Sequence, residues 1–256
     1  MTEMTLPRVA LAIADTQSYV LANNAIQACT MRFDFKQVYV FTDAPQHWPQ
    51  YQTVSVPKMR GIEDYNRIIL DELPKWVEED FCLICQFDGF ILDASAFSQD
   101  FYNFDYIGAV WPDYPHDRVG NGGFSWRSKK LLKAVAELSH LRQLGEAEDL
   151  FICRRLRAEL EARYGCVFAD EQTAQRFSYE IIPHTQPSFG FHGIFNLPMV
   201  YRNNLNFLIE NLPIRVLAAR MPYLQYGANQ LESSQRQEFE LLTGTAMQQY
   251  SQAVQR

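Results

Sequence analysis

The chain has 256 residues, 47% hydrophobic and 14% aromatic, which excludes a disordered or low-complexity protein and leaves one large domain or a domain with an appendage. A net charge of −7 argues against a nucleic-acid partner, because phosphate binding needs a basic face. Five cysteines at irregular spacing argue against a disulfide framework, and the CxxC of Cys82 and Cys85 falls in a strand pattern, where residues three apart point to opposite faces.

In chain order, "RVALAIAD" reads as a buried strand closing on Asp15, and "TQSYVLANNAIQACT" has helical spacing with Thr16 as candidate cap. The apolar run "VALAIA" is too short for a signal segment, and no stretch approaches the roughly 20 apolar residues of a membrane span, so a cytoplasmic protein is expected. "KQVYVFTD" repeats the pattern and closes on Asp43. Strand, helix, strand opens an α/β sheet.

"GIEDYNRIILDELPKWVEED" predicts a helix or two broken at Pro74, leading into "FCLICQFDGFIL", the most apolar strand. If that strand is central and parallel, its carboxyl end opens into the crevice where open α/β sheets bind ligands, with Gln86 and Asp88 in it. "FDYIGAVWP" reads as another strand, and "RVGNGGFSWRS" as a glycine-rich loop entering a short one. "SKKLLKAVAEL" is a helix with Ser128 as cap. A long amphipathic helix is expected from about Glu148 to Tyr164, stopped by Gly165. A short helix in "ADEQTAQRFSYE" and a proline-punctuated loop lead to "FGFHG". From about residue 199 the strand signals stop and short helices follow. The expected organisation is an α/β domain at 1–198 and a helical C-terminal extension at 199–256.

Four spots combine polar groups with element ends. Asp88, just past a strand, can hold a divalent cation together with substrate phosphates, or it can form a tight turn with Gly89; the two roles are compatible. "GNGG" permits close backbone approach to a ligand, or serves only the fold, and it lacks the spacing of a Walker loop or a GxGxxG. Glu148 and Asp149 open a helix, where acids are favoured by the dipole, and an acid there facing a cleft can also act as a general base. His192 is a metal ligand or a hydrogen-bonded loop histidine.

The order of these elements resembles that of GT-A fold glycosyltransferases. More closely, "QFDGF", "DYIGAVWP", "GNGGFSWRS", "ED" and "FGFHG" resemble a glycosyltransferase-like family known mainly as a domain of unknown function, over about residues 8 to 197. The resemblance implies a GT-A-like, Rossmann-like fold with a mostly parallel central sheet and flanking helices. It also implies transfer of a sugar from a nucleotide-sugar donor to a glycan or lipid-linked glycan acceptor, in polysaccharide biosynthesis.

Position by position, Asp88 and His192 are implied to hold Mn²⁺ or Mg²⁺ on the donor diphosphate, and Asp149, with Glu148 as alternative, to be the base of an inverting displacement. Asn121, Gly122, Gly123 and Phe124 are implied to shape the sugar and acceptor pocket, with Trp111 or Trp126 stacking on a sugar. Ala14, Asp15, Thr16, Asp43, Arg67, Gln86 and Asp88 are implied on the donor side. The sequence departs from the family pattern at Gln86, which stands where a DxD motif has its first acid. Alternatives are a non-catalytic nucleotide- or glycan-binding module and a metal-dependent nucleotidyltransferase. For the C-terminal helices, a homodimer contact, a cover over the core and a peripheral membrane contact all stay open.

Overall fold

The computed structural model describes residues 4–181 and 187–254. It resolves into two compact units, Met1–His192 and Gly193–Arg256.

The first unit is built on a six-stranded sheet of β1 (Met4–Ala14), β2 (Phe33–Thr42), β3 (Gln52–Ser55), β4 (Phe81–Cys85), β5 (Tyr106–Ile107) and β6 (Ser125–Ser128), in the order β3-β2-β1-β4-β6-β5. β1 pairs in parallel with β2 and β4, and β2 with β3, while β6 runs antiparallel to β4 and β5. This is the mixed α/β, mostly parallel sheet the sequence predicts. The chain builds outward from β1 to β3 and then returns to lay β4 on the other side of β1. The switch point therefore lies between the carboxyl ends of β1 and β4, where open sheets form a ligand crevice.

Burial explains the strand sequences. Every residue of β4 is buried, as a central strand covered on both faces requires. In β1 the small residues Ala10, Ala12 and Ala14 share a core cluster with Phe41, Ile84, Ile69 and Leu73. All five cysteines are free and buried, Cys82 and Cys85 among them.

The helices follow their sequence signals with three exceptions. α1 (Tyr19–Thr30) connects β1 to β2 and starts after Ser18, not at the expected Thr16 cap, because the Thr16 hydroxyl is taken by the Met59 N–H. The segment expected to break at Pro74 is instead continuous: α2 (Ile62–Arg67), a π turn at Ile68–Glu72, and α3 (Leu73–Trp76). In that wide turn the Leu73 N–H reaches the Ile68 carbonyl, so Pro74 falls in the first turn of α3, where a missing N–H costs little. α4 (Lys129–Leu138) is capped by Ser128, whose Oγ accepts the Leu131 N–H at 3.0 Å.

The predicted 148–164 helix also contains a π turn, Phe151–Arg155, between α5 (Glu148–Leu150) and α6 (Arg157–Tyr164); Gly165 ends it at φ 62°. α7 (Glu171–Phe177) starts at an Asp170 cap, whose carboxylate accepts the Thr173 N–H at 2.7 Å. Two-residue strands β7 (Ser178–Tyr179) and β8 (Gly190–Phe191) then pair in parallel. Part of the proline-punctuated loop, 182–186, lies outside the described residues.

The second unit, which begins at Gly193 and not at residue 199, holds the helices α8 (Leu197–Val200), α9 (Leu205–Asn211), α10 (Ile214–Ala228) and α11 (Ser233–Val254). Among the described residues no helix is long and apolar enough to cross a membrane.

Candidate active site

At the switch point β1 ends in buried Ala14, and Asp15 follows at 6% exposure. Its Oδ1 accepts the Gln17 and Ser18 N–H groups at 2.8 and 2.6 Å, anchoring the start of α1. Burial pushes this carboxyl up to about 6 against the two backbone hydrogen bonds, and the charges of Asp88 and Asp43 add to the rise. Thr16 is fully buried, its Oγ1 accepting the Met59 N–H at 2.9 Å. Exposed Asp43, after β2, accepts from the Tyr19 hydroxyl at 2.8 Å, and the Tyr19 ring stacks on His47 with centroids 4.8 Å apart. Arg67 is exposed at the end of α2.

Past β4 the chain turns tightly. Gln86 and Gly89 exchange both backbone hydrogen bonds, at 2.8 and 3.0 Å, leaving Phe87 and Asp88 at the tip. Asp88 thus occupies a turn, at the carboxyl end of β4. His192, after β8, meets this turn from the other side. Its Nε2 lies 3.2 Å from Gln86 Oε1 and 3.9 Å from Asp88 Oδ1, and its Nδ1 lies 3.3 Å from Glu180 Oε1. Burial alone would lower the imidazole pKa; the Glu180 hydrogen bond and the charges of Asp88, Glu180 and Asp149 outweigh it and push it up to about 9.

These positions can be tested against a divalent cation. Two ligands of one octahedral ion at about 2.1 Å stand about 3.0 Å apart when adjacent and about 4.2 Å when opposite; the 3.9 Å between Asp88 Oδ1 and His192 Nε2 falls between the two, so the pair would have to shift by a few tenths of an ångström or more to share an ion. The Gln86 amide oxygen adds a neutral donor. Among the described residues no third His, Cys, Asp or Glu converges there, so phosphate oxygens or water would complete the set.

The glycine loop owes its composition to the protein itself. A side chain at Gly120 would run into the Trp111 ring, one at Gly122 into Glu148 Oε1, and one at Gly123 into His192 Nε2 and Gln86 Oε1. Asn121 is buried with φ 66°, its Oδ1 accepting the Gly123 N–H at 3.2 Å while its carbonyl accepts from the Tyr106 hydroxyl at 3.0 Å. The expectation of a backbone bared for a ligand is therefore replaced at Gly122 and Gly123 by one of a backbone packed against site side chains.

Two pocket expectations need correction. Trp126 is fully buried and stacks on Phe81 at 5.1 Å, because alternation along β6 turns it into the core, so it offers no face to a sugar. Phe124 is likewise fully buried, stacked on Phe177 at 5.0 Å. Trp111 is half-buried over Gly120, with Tyr114 5.4 Å away.

The two acids at the start of α5 part company. Glu148 is 3% exposed and ion-pairs with Arg127 at 2.9 Å. Burial raises its pKa, Arg127 opposes the rise and Asp149 adds to it. Half-buried Asp149 accepts the Gly122 N–H at 3.1 Å through Oδ2 and the Leu150 N–H at 2.8 Å through Oδ1. Sequence reasoning missed Arg127, Glu180 and Tyr65. The Tyr65 hydroxyl is buried close enough to Glu148 for that charge, after burial, to raise its pKa. Only the alternation in "SWRS", which sets Arg127 opposite Trp126, signalled any of them.

The family described as "Protein of unknown function (DUF5672)" matches residues 49–192. The chain belongs to that family. The DUF5672 segment holds Gln86, Asp88, the glycine loop, Glu148, Asp149 and His192, while Asp15 and Asp43 precede it. No curated protein matches the chain. Among solved structures, a glycosyltransferase involved in the glycosylation of the major capsid of PBCV-1 is similar at 12% identity and a TM-score of 0.48, with 73% of this chain and 92% of that one covered. The apo-form glycosyltransferase GlyE of Streptococcus pneumoniae TIGR4 is similar at 14% identity and a TM-score of 0.45, covering 72% of this chain and 54% of that one. The bifunctional IspDF of Campylobacter jejuni follows at 10% identity and 0.38, covering 59% and 47%. This chain spans about half the length of the last two.

Proposed function

We infer that this DUF5672 protein is a glycosyltransferase that moves a sugar from a nucleotide-sugar donor to a hydroxyl of a glycan or lipid-linked glycan acceptor, with inversion. The observation that carries the reading is the loop at 121–123, which touches both ends of the site: Gly123 packs against His192 and Gln86, and Gly122 donates to Asp149. In this reading the residues assigned to the cation and the carboxylate assigned as base meet neighbouring residues of a single backbone.

In this reading the Asp149 carboxylate takes the proton of the acceptor hydroxyl as its oxygen attacks the anomeric carbon, and the bond from that carbon to the diphosphate breaks. Both carboxylate oxygens are oriented by backbone N–H groups and keep a second lone pair for the proton. Asp88, His192 and the Gln86 amide would hold Mn²⁺ or Mg²⁺, which when bound neutralises charge on the departing nucleoside diphosphate. Asp15, Asp43 and Tyr19 border the nucleotide side, and Trp111 offers the acceptor an aromatic face. Polysaccharide assembly in the cytoplasm, with lipid-linked acceptors met at the membrane surface, is the setting this chemistry suits.

The test is an incubation of wild type with a panel of nucleotide sugars and glycan acceptors, with and without Mn²⁺, following nucleoside diphosphate release and product configuration by NMR. Metal-dependent release with an inverted product supports the reading. No release from any donor overturns it. Gln86 in place of an acid favours one second reading, a binding module without turnover, which binds nucleotides and releases nothing in the same assay.

A further inference from the structure

Strand β6 turns Ser125 and Arg127 under the glycine loop while Trp126 enters the core. The Arg127 side chain is 1% exposed and lies over the Tyr106 ring at 5.4 Å. Its Nη2 donates to Glu148 Oε1 at 2.9 Å and its Nε to Ser125 Oγ at 3.0 Å. Ser125 Oγ in turn donates to the Gly122 carbonyl at 2.9 Å, and the other side of the same residue, the Gly122 N–H, donates to Asp149 Oδ2 at 3.1 Å. Glu148 Oε1 fills the place of a Gly122 side chain, so loop and ion pair are in direct contact.

Stability is a poor reason for such a pair. Desolvation of two buried charges offsets most of their attraction, and here Arg127 Nη1 and Glu148 Oε2 are buried with no hydrogen-bond partner among the described residues. What the pair does fix is direction, because Glu148 and Asp149 share the first turn of α5.

We propose that Arg127 and Glu148 are positioning residues for Asp149: the pair locks the Gly122 peptide and the first turn of α5, and through them the aim of the Asp149 carboxylate. The proposal rests on the reading of Asp149 as the base. A base must sit within hydrogen-bond reach of the proton it removes, and a misplacement of about 1 Å costs about 100-fold.

The test is the double substitution Arg127→Met with Glu148→Gln in the full chain, which removes both charges together and leaves no unpaired ion buried. Amide hydrogen exchange at Gly122, read by NMR, and transfer kinetics are measured side by side. The expected result is a folded protein whose Gly122 amide exchanges at least about tenfold faster while the β1 and β2 amides keep their protection, with kcat lowered about 10- to 100-fold and donor KM within about twofold. Unchanged Gly122 exchange, or faster exchange with unchanged kcat, overturns the proposal. Should the double variant not fold, Ser125→Ala, which removes the 2.9 Å hydrogen bond to the Gly122 carbonyl and leaves only the 3.5 Å contact of Arg127 Nη2 with it, is read the same way. If wild type transfers no sugar, the function reading fails separately, and the exchange measurement still decides whether the pair holds the Gly122 amide.

Discussion

Around Gly122 the contacts are short: Arg127, Glu148, Ser125 and Asp149 meet through hydrogen bonds of 2.9 to 3.1 Å, in which a buried cation answers a buried acid. One residue further on, around Gly123, the spacing opens to 3.2, 3.3 and 3.9 Å between His192 and Gln86, Glu180 and Asp88. There the acids outnumber the cations, and the charges of Asp88 and Asp43 add to the burial that raises the Asp15 carboxyl. A region that closes on its own ion pair fixes a geometry. A region that gathers like charges at longer range would be stabilised by a cation from outside, as the proposed function requires.

The comparison is broken most severely at Asp149. Asp149→Asn keeps an acceptor for the Gly122 N–H but cannot take a proton, so transfer should fall about 10²- to 10⁴-fold with donor affinity unchanged, as single-turnover and binding measurements would show. Equal activity would remove the base from the closed half.

Next in size is a pH effect on the open half. His192, pushed up to about 9, carries a proton at neutral pH that a divalent ion must displace. Metal affinity should therefore rise with pH, by up to about tenfold per unit, and level off above about 9. Mn²⁺ calorimetry at about pH 6.5 and about pH 8.5 checks this, and a flat affinity would remove His192 from the ligand set.

Smaller, and opposite in sign to most substitutions, is Asp15→Asn. The folded protein binds the Asp15 proton more tightly than the unfolded chain does, so this residue subtracts stability as pH rises from 3.8 through about 6, and the cost is full above that. Asparagine keeps an acceptor for the Gln17 and Ser18 N–H groups. At neutral pH the variant should gain on the order of 1–3 kcal/mol, and near pH 3 almost nothing, in denaturant melts at the two values.

Much of the central sheet was legible because apolar runs ending in Asp15, Asp43 and "QFDGF" mark strands whose carboxyl ends carry polar residues. The helix start at Ser128 and the stop at Gly165 follow local capping chemistry, which a single sequence carries. The two π turns were not legible: the first precedes Pro74, which reads in sequence as a break, and the second, at Phe151–Arg155, sits inside a helical pattern with no local marker. Strands β7 and β8 are two residues each and exist only through pairing across a gap in the sequence. Within the site, Asp88 and His192 stand out by context, whereas the Arg127 to Glu148 pair joins residues 21 apart across a buried face that no local pattern describes. Trp126 was misread because its neighbourhood to "GNGG" in sequence suggested a shared surface, while strand alternation sends it the other way.

The central claim, that the crevice at "QFDGF" binds a nucleoside diphosphate through a metal, is tested most directly by calorimetry of nucleoside diphosphates with and without Mn²⁺, on wild type and Asp88→Ala. The account predicts binding of at least one of them that needs the metal and weakens at least about tenfold in Asp88→Ala. Binding indifferent to both metal and Asp88, or no binding under any condition, would contradict it.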